Sequence, residues 1–169
     1  MKEVVVSERA LVEASEEGMD AFVGVFVDAI YDAIGGTLDA QSLPSLNADQ
    51  VTLLAYVILR DEVMDGGFVQ LIHNGYGPFI FKNPFSKMMR QWGLDALASL
   101  VNKAHKPYSH HHEEIERECT DEEFMALFEQ LPEFDEYDDE FVENEEEWTT
   151  AVAYYIDEHL SRFATITKE

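Results

Sequence analysis

Apolar residues recur along this chain at spacings of three and four positions, which is the pattern of amphipathic helices. Two stripes are the clearest, one over residues 19–33 and one over residues 148–163. No segment sustains the alternation of apolar and polar residues that is typical of strands, and residues 4–6 are too few to carry a sheet. The pattern predicts an all-α fold, a single-domain irregular helical bundle over residues 1–169, in which residues 1–16 are expected to fray.

The boundaries of the central helices follow from capping and stop residues. Asn47, with Gln50 three positions later, matches a capping box, so a helix is predicted to begin there. Gly66 and Gly67 are predicted to end this helix, because glycine tolerates the left-handed backbone of a helix stop. A short second helix is then expected over residues 68–74.

Two further boundaries are predicted in the second half of the chain. A helix that starts near Leu94 is expected to be interrupted or ended by Pro107, because proline lacks the backbone N–H that a helix interior uses. Asp121 is predicted to cap the short helix that follows, and Pro132 is predicted to close that helix.

Composition limits the classes of function. The 169 residues include 11 Lys and Arg against 35 Asp and Glu, so the formal net charge is −24. Direct binding to a nucleic-acid backbone needs basic residues, so nucleic acid is not expected as a partner. The longest apolar stretch, residues 51–59, is far below the roughly 20 residues that span a bilayer. Acids near the start replace the apolar region of a signal peptide, so we predict a cytoplasmic protein without a membrane partner.

The charges are segregated along the chain. Residues 113–147 hold 18 acids and one base, whereas residues 82–106 hold five bases and one acid. The basic segment is expected either to pair internally with part of the acidic segment or to serve a function of its own.

The acidic segment, residues 133–147, contains ten acids and neither Lys nor Arg. As a helix it would be about 22 Å long, with one charge per roughly 2.2 Å, between the spacings of single-stranded and double-stranded DNA, about 3.4 and 1.7 Å. Apolar residues at helical spacing predict that one face packs on the domain while the acids project outward. A solvated face is the alternative. The candidate partner-binding residues are Asp135, Glu136, Asp138, Asp139, Glu140, Glu143, Glu145, Glu146 and Glu147.

A glycine pair marks the most distinctive segment, residues 62–74. Gln70 and Asn74 share one helical face, so their amides are predicted to form a hydrogen-bonded cluster with Glu62 or Asp65. Such a cluster would fix the angle between two packed helices, which is the favoured interpretation. The alternative is a polar cleft for a small molecule or a peptide, lined by Glu62, Asp65, Gln70, His73 and Asn74.

This segment resembles the hallmark of a bacterial domain-of-unknown-function family that includes an acidic DNA-mimic protein. The family pattern is E-[V/L]-x-N-G-G-F-x-Q-[F/Y]-[F/Y]-x-N, and this chain has EVMDGGFVQLIHN. Asp65 replaces the usual asparagine, and Leu71 and Ile72 replace the usual aromatic residues. The resemblance extends over residues 47–160 and implies an all-α fold. It implies DNA mimicry for one member, and it assigns no catalytic residue.

Other chemistry is not indicated. His110, His111 and His112 point in different directions on a helix, so they do not supply the three or four convergent ligands of a metal site. Cys119 lies among acids, which raise the pKa of a thiol and disfavour a nucleophile. We therefore predict no catalytic residue, no metal and no cofactor.

Three functions remain open from the sequence. The first is an acidic protein that binds a basic protein surface. Its specific form is a DNA mimic, which would occupy the nucleic-acid-binding surface of a DNA-binding protein. The second is a small-ligand-binding or enzymatic domain that uses the polar cleft. The third is an immunity protein against a basic toxin, which would use the same acidic surface as the first.

Overall fold

The computed structural model describes residues 3–168 and shows a predominantly helical chain. The α-helices are α1 (Glu8–Glu17), α2 (Met19–Ala33), α3 (Ala48–His73), α4 (Phe85–Gln91), α5 (Asp95–Glu116), α6 (Asp121–Gln130), α7 (Asp135–Glu158) and α8 (Leu160–Phe163). Short 3-10 helices span Leu43–Ser45 and Pro132–Phe134, and a π-helical turn spans Pro78–Lys82. The strands β1 (Val5–Ser7) and β2 (Thr165–Thr167) form a two-stranded parallel sheet. The predicted all-α fold class, a helical bundle, is confirmed.

Two compact units can be distinguished by their internal contacts. The first unit contains the described residues 3–54 and 147–168, and the second unit contains residues 55–146. Helices α3 and α7 each contribute one part to each unit. The boundaries of a single domain over residues 1–169 stay a prediction.

In the first unit, a sheet joins segments that are far apart in the sequence. Val5 of β1 pairs with Thr165 of β2, and residues 4 and 6 of the chain are buried. The local pattern of residues 4–6 does not show this strand, because its partner comes from the far end of the chain. Helix α1 follows directly, so residues 3–16 of the segment that was expected to fray lie largely in β1 and α1, and residues 1 and 2 lie outside the described residues.

Aromatic packing and a buried capping box hold the first unit together. The rings of Phe26 on α2 and Phe163 on α8 meet edge to face, 6.4 Å apart. The predicted capping box at the start of α3 is confirmed: Asn47 Oδ1 accepts from Gln50 N–H at 2.8 Å, and Gln50 Oε1 accepts from Asn47 N–H at 3.0 Å. The amide of Gln50 also donates to Phe163 O at 3.0 Å. Gln50 therefore joins the start of α3 to the end of α8.

The core of the second unit is aromatic. The ring of Phe68 on α3 lies 6.4 Å from Phe134 and 6.3 Å from Phe81, and all three side chains are buried. Phe141 on α7 is also fully buried. The apolar side of the acidic segment is therefore packed, as the spacing of its aromatic residues predicts.

Two predicted helix boundaries are wrong. Helix α5 continues through Pro107 to Glu116 instead of stopping there. Pro107 is itself buried in this long helix, so burial of its apolar face outweighs the missing hydrogen bond of one proline. Helix α6 is capped by Thr120, whose hydroxyl accepts from Glu123 N–H at 3.2 Å, and Asp121 is its first helical residue.

The acidic segment is not a separate element. Residues 135–147 form the first half of α7, which runs on through the predicted stripe of residues 148–163 as far as Glu158. Within residues 3–168, no helix is both long enough and apolar enough to cross a membrane.

We expect that Gln50→Ala lowers the free energy of unfolding by about 1–3 kcal/mol, because it leaves the carbonyl of Phe163 and the N–H of Asn47 without their partner. Urea denaturation measures this change. Gln41→Ala is the control, because Gln41 is exposed in the loop before α3. This variant should have the same free energy of unfolding as the wild type. Equal stability of the Gln50 and Gln41 variants would contradict the capping-box role.

Candidate functional site

The backbone of α3 breaks at its glycine pair. Gly66 has φ −145° and ψ 18°, and Gly67 has φ 73° and ψ −177°, so neither residue is helical. The conformation of Gly67 belongs to a region that is essentially restricted to glycine. The sequence prediction that two helices meet at this pair is confirmed, although the break is a sharp kink rather than a loop.

Amides and carboxylates form the predicted hydrogen-bonded cluster beside this break. Gln70 Nε2 donates to Glu62 Oε2 at 2.8 Å and to Asp65 Oδ2 at 3.0 Å. Asn74 Nδ2 donates to the same Glu62 oxygen at 2.9 Å. The side chain of Gln70 fills the space above Gly66, where an added Cβ would collide with it. The cluster therefore links the two halves of α3 across the kink, and its amide groups donate hydrogen bonds to its own carboxylates.

His73 does not belong to this cluster, contrary to its predicted place in a cleft. Its Nδ1 lies 2.8 Å from Ile115 O on α5, and its ring centre lies 4.9 Å from that of Phe124 on α6. His73 precedes Asn74 by one residue, so its side chain projects from the helix about 100° away from that of Asn74 and contacts different residues. The proposed cleft thus loses one of its five predicted residues.

Asp138 of α7 reaches the glycine break from the opposite helix. Its Oδ1 accepts a hydrogen bond of 2.8 Å from the backbone N–H of Phe68. This N–H lies at the start of a helical segment, where it has no partner within the helix. A Cβ on Gly67 would lie only 2.5 Å from Asp138 Oδ2, so glycine is needed here for space as well as for its backbone angles.

Burial raises the pKa of Asp138 to about 7. The hydrogen bond from Phe68 N–H acts in the opposite direction, and the negative charges of Asp135 and Asp139 add to the increase. Asp138 therefore faces α3 and does not project outward with the other acids. The sequence contained an indication of this: Asp138 lies four residues after Phe134 and three before Phe141, within the stripe that is buried.

The outward acidic face of α7 consists of Asp135, Glu136, Asp139, Glu140, Glu143 and Glu146 in the second unit. Glu140 is half-buried and the other five are exposed. At about 100° per residue, these six positions fall within an arc of about 140° on the side opposite the buried aromatic residues. Their carboxylates therefore share one surface along about 16 Å of helix.

The other two predicted partner-binding residues lie elsewhere. Glu145 is half-buried and makes interactions on the side of α7 near the buried stripe. Glu147 is exposed on the part of α7 that belongs to the first unit. Glu145 lies outside the arc of the outward acidic face, and Glu147 is not counted in the face because the face is limited to the second unit.

Of the two alternatives for the basic segment, internal pairing finds no support, since the described residues show no ion pair that involves this segment. Lys82, Lys87, Arg90, Lys103 and Lys106 are all exposed. The ion pairs found among residues 3–168 involve Arg9, Arg60 and histidines, and none of these five bases. The acidic face of α7 is therefore not neutralised by this segment.

The histidine run makes local contacts with carboxylates. His111 Nε2 lies 2.7 Å from Glu133 Oε2, and His112 Nδ1 contacts Glu116 one turn later on α5. Across the described part of the chain, no three His, Cys, Asp or Glu side chains converge as they would around a metal ion.

We expect that Gly67→Ala lowers the free energy of unfolding by about 1–3 kcal/mol from backbone strain alone, with a further loss from the collision with Asp138. Gly75→Ala is the control, because Gly75 also has a positive φ but has open space around it. Urea denaturation compares the two variants. A Gly67 variant that is no less stable than the Gly75 variant would contradict the close contact with α7.

The raised pKa of Asp138 predicts a pH dependence of stability. Between pH 3.8, the ordinary pKa of an aspartate side chain, and the folded-state pKa of about 7, the folded state keeps a proton that the unfolded state has lost. This stabilising contribution is complete below pH 3.8 and is lost as the pH rises towards 7, by at most about 1.4 kcal/mol per pH unit. Asp138→Asn should remove this decline, because the Asn oxygen still accepts from Phe68 N–H but does not titrate.

The measurement is urea denaturation at several pH values between 4 and 7. Glu143→Gln is the control, because it removes an exposed charge from the same helix and should keep the wild-type decline. If the free energies of unfolding of the wild type and of Asp138→Asn fall with pH in parallel, the carboxyl group of Asp138 is not the one that holds the proton.

Comparison with known proteins fits this geometry. Residues 44–159 match the sequence model of the DMP19-like protein family. Over 127 residues the chain is 37% identical to "DNA mimic protein DMP19" of Neisseria meningitidis serogroup B (strain ATCC BAA-335 / MC58), which covers 75% of this chain and 77% of that protein. The family match includes the broken helix α3 and all of α7. The resemblance drawn from the glycine segment is confirmed at the level of the family: this chain belongs to the DMP19-like protein family.

Proposed function

We propose that this protein is a DNA mimic, an acidic binding protein whose outward acidic face on α7 occupies the basic nucleic-acid-binding surface of a partner protein. The observation that carries the proposal is the alignment of six carboxylates on one side of a single helix, which the exposed bases of residues 82–106 do not neutralise. The name of the Neisseria relative supports it, because that protein is described as a DNA mimic. We also propose a cytoplasmic location, where a bacterial DNA-binding protein would be met.

The spacing of the charges suits a surface that normally binds phosphates. Six carboxylates along about 16 Å of helix correspond to one charge per roughly 3 Å, which is close to the 3.4 Å spacing of one DNA strand. A carboxylate, like a phosphate, accepts two parallel hydrogen bonds from an Arg side chain. Side chains of Arg and Lys that track a DNA backbone therefore find comparable acceptors along α7.

Repulsion within the face favours association with a cation. Asp135 with Asp139, and Asp139 with Glu143, are like charges four residues apart on one helix. Each such pair costs about 0.2–0.5 kcal/mol in the free protein. A basic partner surface removes this cost and adds attraction, and both effects weaken when salt screens the charges.

An immunity protein against a basic toxin remains the second candidate, because it would use the same face. Competition distinguishes the two: duplex DNA should displace this protein from a DNA-binding partner and should leave a toxin complex intact unless the toxin itself binds DNA. We do not propose the small-ligand alternative, because Gln70 and Asn74 already direct their amide donors to Glu62 and Asp65.

The test uses two variants with equal changes in net charge. The first neutralises half of the face, including its centre, by Asp139→Asn, Glu143→Gln and Glu146→Gln. The second neutralises three exposed acids of α6 by Asp121→Asn, Glu122→Gln and Glu129→Gln. The partner is captured from the source cell on immobilised wild-type protein, eluted with salt and identified by mass spectrometry, and its affinity for each variant is then measured.

We expect the α7 variant to bind the partner at least about tenfold more weakly, because charged groups at the centre of an interface contribute more than peripheral ones. The α6 variant should keep nearly the wild-type affinity at the same ionic strength. Duplex DNA should compete with the wild-type protein for the partner. Equal weakening by both variants would show that only net charge matters, and unchanged binding of the α7 variant would refute the role of this face.

A further inference from the structure

An apolar groove lies on the first unit and shares no residue with the outward acidic face. It has a volume of about 180 Å³ and is lined by Ser15, Met19, Phe22, Ala153, Tyr154 and Asp157. Two of these residues are large apolar or aromatic side chains that remain open to solvent: Met19 is 40% exposed and Tyr154 is 57% exposed. Met19 belongs to the apolar stripe over residues 19–33, which the sequence predicts to face the core. Its exposure is therefore set by the tertiary structure and not by the helical pattern.

The surroundings of this groove are acidic. Asp157 forms part of its lining, and no Lys or Arg does. Two of the lining residues, Ser15 and Asp157, are each followed in the sequence by an exposed acid, namely Glu16 and Glu158. A binding partner must therefore bring both an apolar group and positive charge to this place.

We infer that the groove is a docking site for a segment of a partner protein that carries one apolar anchor side chain flanked by Lys or Arg. The volume suits a single side chain, because pockets for whole small molecules are usually about 300–1,000 Å³. Tyrosine is enriched among residues that dominate binding energy, and methionine adapts its shape to different apolar partners. This inference is independent of the proposed DNA mimicry, because no residue of the groove belongs to the outward acidic face.

A second copy of this chain is a poorer occupant than a basic partner. Each copy carries a net charge of −24, so two copies repel one another as they approach. Charge complementarity thus selects a cationic segment over self-association.

The test uses synthetic peptides of one length and three compositions. The first is an amphipathic helical peptide of Leu, Ala and Lys; in the second, Ser replaces each Leu; in the third, Glu replaces each Lys. Binding to the full chain is followed by backbone NMR shifts and by the fluorescence of a dye on the peptide. The protein variants are Met19→Ser and Tyr154→Ser, with Met125→Ser on α6 as the matched control because Met125 is 58% exposed outside the groove.

We expect the Leu–Lys peptide to shift the resonances of groove residues and to bind about tenfold more weakly, or weaker still, to the Met19 and Tyr154 variants. Met125→Ser should bind it as the wild type does, and Tyr154→Phe should retain most of the affinity. The Ser–Lys peptide should bind weakly and equally to all variants, since it reports charge attraction alone. The altered residues are exposed, so thermal unfolding should confirm that each variant is folded.

Several outcomes would overturn the inference. Absence of binding by the Leu–Lys peptide would do so, as would wild-type affinity in both groove variants or shifts confined to residues 135–146. Equal binding of the Leu–Glu peptide would refute the role of Asp157 and of the negative charge around the groove. If the protein alone sediments as a dimer and Tyr154→Ser sediments as a monomer, the groove belongs to a second copy of the chain. The α7 variant with three neutralised acids keeps this groove, so failure here leaves the test of DNA mimicry unaffected.

Discussion

The contact between Asp138 and the glycine break of α3 sets the arrangement of the second unit. At the break, Phe68 N–H is left without a helical partner, and the carboxyl group of Asp138 supplies the acceptor from α7. The close approach is possible only because Gly67 has no side chain. The aromatic side chains of Phe68 and Phe134 then pack against each other beside this polar contact. One hydrogen bond and one missing Cβ thereby allow α7 to approach the break of α3 on the side that its buried aromatic residues select.

Once that side is fixed, the outward acidic face follows from helix geometry. Burial of Phe134, Asp138 and Phe141 turns the positions between them towards solvent. The acids at those positions lie towards solvent, because turning inward would cost them their hydration. The same helix thus contains one acid whose pKa is raised by burial and several acids that are exposed. Environment, and not residue type, separates the structural carboxyl group of Asp138 from the exposed acids of the same helix.

The two glycine-dependent features of α3 have different physical origins. At Gly66, the side chain of Gln70 occupies the space of a Cβ while its amide bridges Glu62 and Asp65. At Gly67, the backbone angles themselves require glycine. The pair therefore serves first to break the helix and then to admit two polar side chains to the break. This explains why a segment that looks like a cleft in the sequence is filled in the structure.

The sequence by itself determined the helical class, the family, the capping box at Asn47 and Gln50, and the break at the glycine pair. These features depend on periodicity and on residues a few positions apart, which the sequence displays directly. Only the tertiary structure decided that α5 passes through Pro107, that β1 pairs with β2 and that His73 turns to Ile115. It alone also turned Asp138 towards α3 and left Met19 exposed, because burial depends on neighbours that are distant in the chain.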